Sequence, residues 1–198
     1  MHNNVIPIWL KLSYTLLVFI IVPVYWRELG PGNFLWFSDI ALISLVAAVW
    51  LESRLISSTM AVSVLFFELA WALDFFSGGK LMTIAAYVFA EDEPWVIRVL
   101  SGSFHLVLPP LLFYLLLRLG YDRRAFKLQI VIALIVLPLT FVLTGPADNI
   151  NWVYGPGQPQ EMLPPLVYLG LFFVTLFLGV YLPSHLLFKR FFTDKSLE

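Results

Sequence analysis

The chain of 198 residues contains no cysteine. That absence excludes disulfides, thiolate metal sites and a cysteine nucleophile together. Charge is also scarce: 13% of residues are Asp, Glu, Lys or Arg, against about 25% in an average soluble domain. The basic and acidic counts nearly cancel, with a formal net charge of −1, and no basic run occurs, so no nucleic-acid partner is expected. Three histidines, at positions 2, 105 and 185, are spread along the chain and make no metal-site spacing. No internal repeat is evident, and no small-residue cleavage pattern follows the first apolar run. That run is therefore expected to stay as a helix and not to be removed as a signal peptide. What fills the chain instead is apolar: 60% of it is hydrophobic. The composition is that of an integral membrane protein.

A membrane-crossing helix needs about 20 mostly apolar residues. Six stretches meet or approach that length: Ile8 to Tyr25, Phe34 to Leu51, Leu55 to Phe76, Val96 to Leu119, Phe126 to Thr144 and Leu163 to Pro183. Turn-forming or polar breaks separate them, such as Gly30-Pro31-Gly32, Glu52-Ser53-Arg54 and Ser77-Gly78-Gly79-Lys80. Leu81 to Ala90 is apolar but too short to cross, and is expected to lie along the interface. Gly145 to Gln160 reads as a loop. The expected fold is a single all-α transmembrane domain over residues 1–198, with six spans and their loops using the whole chain.

Alternating the spans sorts the charges. One side holds both termini with Lys11, Arg54, Arg118, Arg123, Arg124, Lys127, Lys189, Arg190 and Lys195. The other holds only Arg27, Lys80 and Arg98 as cations, among Glu28, Glu91, Asp92, Glu93, Asp148 and Glu161. Cytoplasmic loops carry the Lys/Arg excess, so both termini are expected in the cytoplasm. Trp26, Trp36, Trp95 and Trp152 then fall near the outer boundary, as an aromatic belt would.

The polar exceptions within the spans are Ser38, Asp39, Glu68, Asp74 and His105, all toward the outer face. An ionisable group at that depth costs roughly 2.5–3.5 kcal/mol even on the lenient insertion scale, so it needs a partner or a purpose. From a rise of about 1.5 Å per residue, Ser38 and Asp39 lie about 6–8 Å below the boundary, and Glu68 and His105 about 12–14 Å. Asp148, Asn149, Asn151 and Tyr154 belong to the loop above them. Pro109 and Pro110 follow His105 and leave the carbonyls of His105 and Leu106 without their helical donors. A serine, a histidine, carboxylates and amides thus share one layer, and the family resemblance given below implies roles for them in acyl chemistry. Ser38 Oγ would attack a carbonyl and His105 would accept its proton. Glu68 or Asp39 would orient the imidazole, and Asn149 or Asn151 would donate to the oxyanion. The alternative is structural: His105 and Glu68 bond across helices, Ser38 packs as a small residue, and Asp74 and Asp148 are boundary residues. Nothing in either reading calls for a metal or a soluble cofactor.

Three segments carry a family resemblance. Phe34-Leu35-Trp36-Phe37-Ser38-Asp39-Ile40 resembles the start of the nucleophile-bearing helix of the androgen-induced fatty-acid-ester hydrolases. His105 with Pro109 resembles their histidine helix, and Asn151-Trp152-Val153-Tyr154 their Trp-Val-Tyr motif before the last span. The order and layout also resemble the bacterial YwaF-like membrane proteins and the related ether-phospholipid acyltransferase, in which a Cys-Asp pair stands where Ser38-Asp39 stands here. In an ungapped match the hydrolases' threonine falls on Trp36, which cannot serve as a nucleophile, whereas the YwaF-like cysteine falls on Ser38. The resemblance implies a bacterial inner-membrane protein acting on a membrane lipid or acyl-lipid substrate, by hydrolysis or acyl transfer, through Ser38 and His105. A non-catalytic lipid-binding protein, or a subunit with a membrane-protein partner, is the alternative.

Overall fold

The computed structural model describes residues 5–192, and among these there is no β-strand. Seven α-helices follow in order: α1 Ile8–Glu28, α2 Phe37–Leu51, α3 Arg54–Phe76, α4 Trp95–Leu119, α5 Arg124–Leu143, α6 Pro165–Leu176 and α7 Leu182–Phe192. A π-helical turn over Phe177–Tyr181 joins α6 to α7, so that Pro165–Phe192 forms one rod of 28 residues. Five helices are long and apolar enough to cross a membrane: α1, α3, α4, α5 and the α6–α7 rod. Many of their large apolar side chains face outward, among them Phe19, Ile135, Val142, Leu166 and Leu178. Apolar surface on that scale marks contact with lipid. The protein is a membrane helical bundle.

Two of the expected spans end elsewhere. The second starts at Phe37 and not at Phe34, because Pro31–Leu35 winds a 3₁₀ turn instead. That leaves α2 with 15 residues, a rise of about 22 Å, short of the ~30 Å hydrocarbon core. The last rod continues past Pro183 to Phe192. A proline forfeits the bond to the carbonyl four residues earlier, here Gly179. That carbonyl sits in the π turn, where the bonding register has already shifted. The helix therefore passes Pro183 without breaking.

α3 is the central helix and packs against α2, α4 and α5. Every residue from Ser57 to Leu65 is buried. Ser57, Ser58, Ala61 and Ser63 are small, which lets neighbouring backbones approach where lipid offers no hydrophobic drive to association. Ser57 and Thr59 return their hydroxyls to the carbonyls of Ser53 and Leu55, at 2.9 and 2.8 Å, so neither needs an outside partner. After α3 the chain folds back across its own end. The segment after Lys80 makes bends and a 3₁₀ turn, Ala86–Phe89, that seats Ala85 and Val88 against Trp71 and Phe75. This turn packs over the C-terminal end of α3 and the N-terminal end of α4 and closes one wall of the polar cluster.

Candidate functional site

Glu68 and His105 meet. Glu68 projects from α3 and His105 from α4, and Nδ1 lies 2.7 Å from Glu68 Oε2. The glutamate side chain is 3% exposed and the histidine 13%. The imidazole stacks on Trp71, ring centroids 4.5 Å apart at 20°, and borders Phe104. If Glu68 is ionised its carboxylate can only accept; a neutral imidazole then carries its proton on Nδ1 and its lone pair on Nε2. A base oriented by a third group in this way is the arrangement that activates nucleophiles.

Asp39, one residue beyond Ser38 on α2, is buried in the same cluster. Its Oδ2 accepts from Asn33 Nδ2 at 3.3 Å, while Oδ1 is buried with no protein partner. Glu68 lies within electrostatic reach of it. Buried Tyr25 lies near Asp39 and packs edge-on against Phe104 at 6.1 Å. Tyr87, from the 3₁₀ turn above, shares a 2.6 Å hydrogen bond with Ser101 on α4. Burial pushes the Tyr87 hydroxyl up to about 12; the Ser101 bond opposes this and the Glu68 and Asp39 carboxylates add to it. Elements from Tyr25 to Ser101 thus converge on a pair of carboxylates and one imidazole.

Residues the sequence left unmarked complete this cluster: Tyr25, Asn33, Trp71, Tyr87 and Ser101. Asn33 had one available signal, its place directly after the Gly30-Pro31-Gly32 turn and six residues before Asp39. The tyrosines and the tryptophan had none, because aromatic residues are ordinary in membrane helices and at their interfaces.

The other expected members of the layer are occupied elsewhere. Asp74 is a turn-holder: Oδ1 accepts the N–H groups of Leu81 and Met82 at 2.9 and 2.8 Å, and Oδ2 that of Ala85 at 2.8 Å. Asn149 accepts from the Tyr154 N–H and donates to the Gly155 carbonyl, at 3.0 and 2.9 Å. Asn151 accepts from the Phe37 N–H and donates to the Leu35 carbonyl, at 3.0 and 2.6 Å. Each amide commits its oxygen and one N–H to backbone. Tyr154 Oη lies 2.7 and 2.6 Å from the carbonyl oxygens of Phe141 and Thr144, shares its one proton between them and ties the loop to the end of α5. Asp148 is exposed, with Oδ2 3.4 Å from the Gly145 N–H.

Ser38 stands in the first turn of α2, half-buried, and no side-chain hydrogen bond is formed by it among the described residues. It leaves the helix about 100° around from Asp39. Among the described residues no group of three His, Asp or Glu side chains is placed to hold a metal ion. No family model matches the chain, and neither the curated proteins nor the solved structures hold a match.

Proposed function

We propose that the protein is a multi-pass membrane enzyme of lipid-ester chemistry, with its site in the outer half of the bundle. The observation that supports this is the 2.7 Å bond from Glu68 to His105 Nδ1, which leaves Nε2 as a base at the edge of a buried polar cluster. In this reading Ser38 Oγ attacks the acyl carbonyl and its proton passes to His105 Nε2. Glu68 stabilises the imidazolium. That proton then goes to the leaving alkoxide as the ester C–O bond breaks. Water or a lysolipid hydroxyl next attacks the acyl-serine, giving hydrolysis or acyl transfer, and Ser38 recovers its proton. Hydrogen bonds between nucleophile and base are often made only once substrate is bound, which accommodates the absence of a Ser38–His105 bond here.

The same reading places α2 as a sixth span, helped across by the preceding turn, with both termini cytoplasmic. The resemblance of the segment order and span layout to the bacterial YwaF-like membrane proteins favours a bacterial cytoplasmic membrane. A serine-reactive fluorophosphonate probe tests the reading. Labelling of the purified protein that disappears in Ser38→Ala supports the enzyme. Labelling that persists in Ser38→Ala removes Ser38 as the nucleophile.

A second reading draws on the packing of the pair. His105 bonds Glu68 across two helices while stacked on Trp71, which is also how a non-catalytic bundle satisfies intramembrane polar groups. The protein would then bind membrane lipid or serve a membrane-protein partner. Lipid extracts of a deletion strain separate the two. An ester-lipid class that accumulates and is corrected by wild type but not by His105→Gln belongs to an enzyme.

A further inference from the structure

Helix α2 has no cap of its own. The residue before it is Trp36, which offers no side-chain acceptor, and the first-turn N–H of Phe37 has no partner within the helix. The acceptor comes from 114 residues away: Asn151 Oδ1, 3.0 Å from the Phe37 nitrogen. The same amide donates to the Leu35 carbonyl at 2.6 Å, so one side chain grips both sides of the joint between the 3₁₀ turn and α2. Asn151 is itself 7% exposed and held in the left-handed region at φ 51°. Its neighbours Asn149 and Trp152 are left-handed too, at φ 41° and 58°. For a bulky residue such as Trp152 that conformation is an outlier, kept only where surroundings enforce it. The enforcement is visible: Tyr168 on α6 donates to the Trp152 carbonyl at 2.8 Å, and the Asn149 and Tyr154 bonds close the loop on the α5 end.

We propose that Asn151 is a positioning residue that clamps the first turn of α2 and through it sets Ser38 and Asp39. The proposal rests on the lipid-ester reading only for what Ser38 does, not for the clamp. It also replaces the oxyanion role expected of Asn151: the amide acts on the backbone that carries the nucleophile and does not touch the reacting atoms.

Amide hydrogen exchange on the full-length protein in detergent reads the clamp without reference to activity. Asn151→Ala should speed exchange over residues 36–42 by about tenfold, with α3 and α4 unchanged. Exchange there at the wild-type rate overturns the proposal. If Asn151→Ala does not accumulate, Asn151→Gly carries the same test. Glycine adopts the left-handed backbone freely and lacks both the acceptor for Phe37 and the donor to Leu35, so a wild-type rate in this variant overturns the proposal equally. Fluorophosphonate labelling is the second readout. In Asn151→Ala it should slow about tenfold while the shape of its pH profile stays as in wild type. Fast exchange together with wild-type labelling overturns the link to Ser38. Fast exchange with no labelling even in wild type leaves the clamp standing and removes the lipid-ester reading instead.

Discussion

At the scale of single residues, the Glu68–His105 pair separates chemistry from architecture. Glutamine at position 105 can still bond Glu68 across the helices, so His105→Gln should keep expression and melting temperature near wild type. It has no basic nitrogen, and lipid-ester turnover should vanish; surviving activity would end the catalytic role. His105→Leu is the harsher change. It strands a carboxylate that is 3% exposed, and removing one member of a buried pair typically costs about 3–5 kcal/mol. A large fall in melting temperature is expected for His105→Leu, recovered in part by adding Glu68→Gln, since the second substitution removes the stranded charge. Additive losses in the double variant would mean that the two side chains do not act as a pair.

At the scale of elements, two carboxylates hold the chain's turns in place. Asp74 binds three backbone N–H groups of the segment that follows α3. Asp74→Ala leaves those donors to find other partners, at about 1–3 kcal/mol for each one stranded. Proteolysis or hydrogen exchange should show residues 81–90 loosened first, with Tyr87 and so the roof of the polar cluster released. An unchanged exchange rate there would show that packing of Ala85 and Val88 suffices. On the opposite side Glu52, at the end of α2, accepts from the N–H groups of Val5 and Ile6 and from Lys11 Nζ. Burial pushes its carboxyl up, but the Lys11 and backbone hydrogen bonds outweigh that and hold it below the ordinary glutamate value. A folded value lower than the unfolded one means the stabilisation is fully present above the unfolded pKa. It is lost as pH falls through the folded one. Melting temperature should therefore drop on acidification in wild type, and Glu52→Gln should flatten that part of the curve. Identical acid limbs in the two proteins would assign the loss to other groups.

At the scale of the whole molecule, the arrangement depends on which face the polar cluster occupies. The excess of Lys and Arg on the side that holds both termini predicts a C-terminus on the cytoplasmic side. A reporter fused there should be active only in the cytoplasm. Activity on the outer side would invert the bundle and put the Glu68–His105 pair under the inner leaflet. The central position of α3 makes this consequential, because one helix carries Glu68 and Asp74 near one end and the buried Ser57, Ser58 and Ser63 toward the other.

The sequence by itself determined the class of protein and the extent of α3, α4 and α5 to within a few residues. Apolar run length and the rise per residue are properties of one dimension, and the order of residues carries them completely. Azimuth is not such a property. That Asp39, Glu68 and His105 share a cluster, while Asp74 turns to a backbone loop and Asn149 and Asn151 to the joints of other elements, depends on how helices rotate against one another. The short second helix is a similar case. Phe34-Leu35-Trp36 is as apolar as the residues after it, and only the 3₁₀ turn, gripped by Asn151 from the far end of the chain, fixes where α2 begins. Hydrogen bonds spanning more than a hundred residues leave no trace in local pattern, so tertiary structure alone decided which polar residues face the site and which hold it in shape.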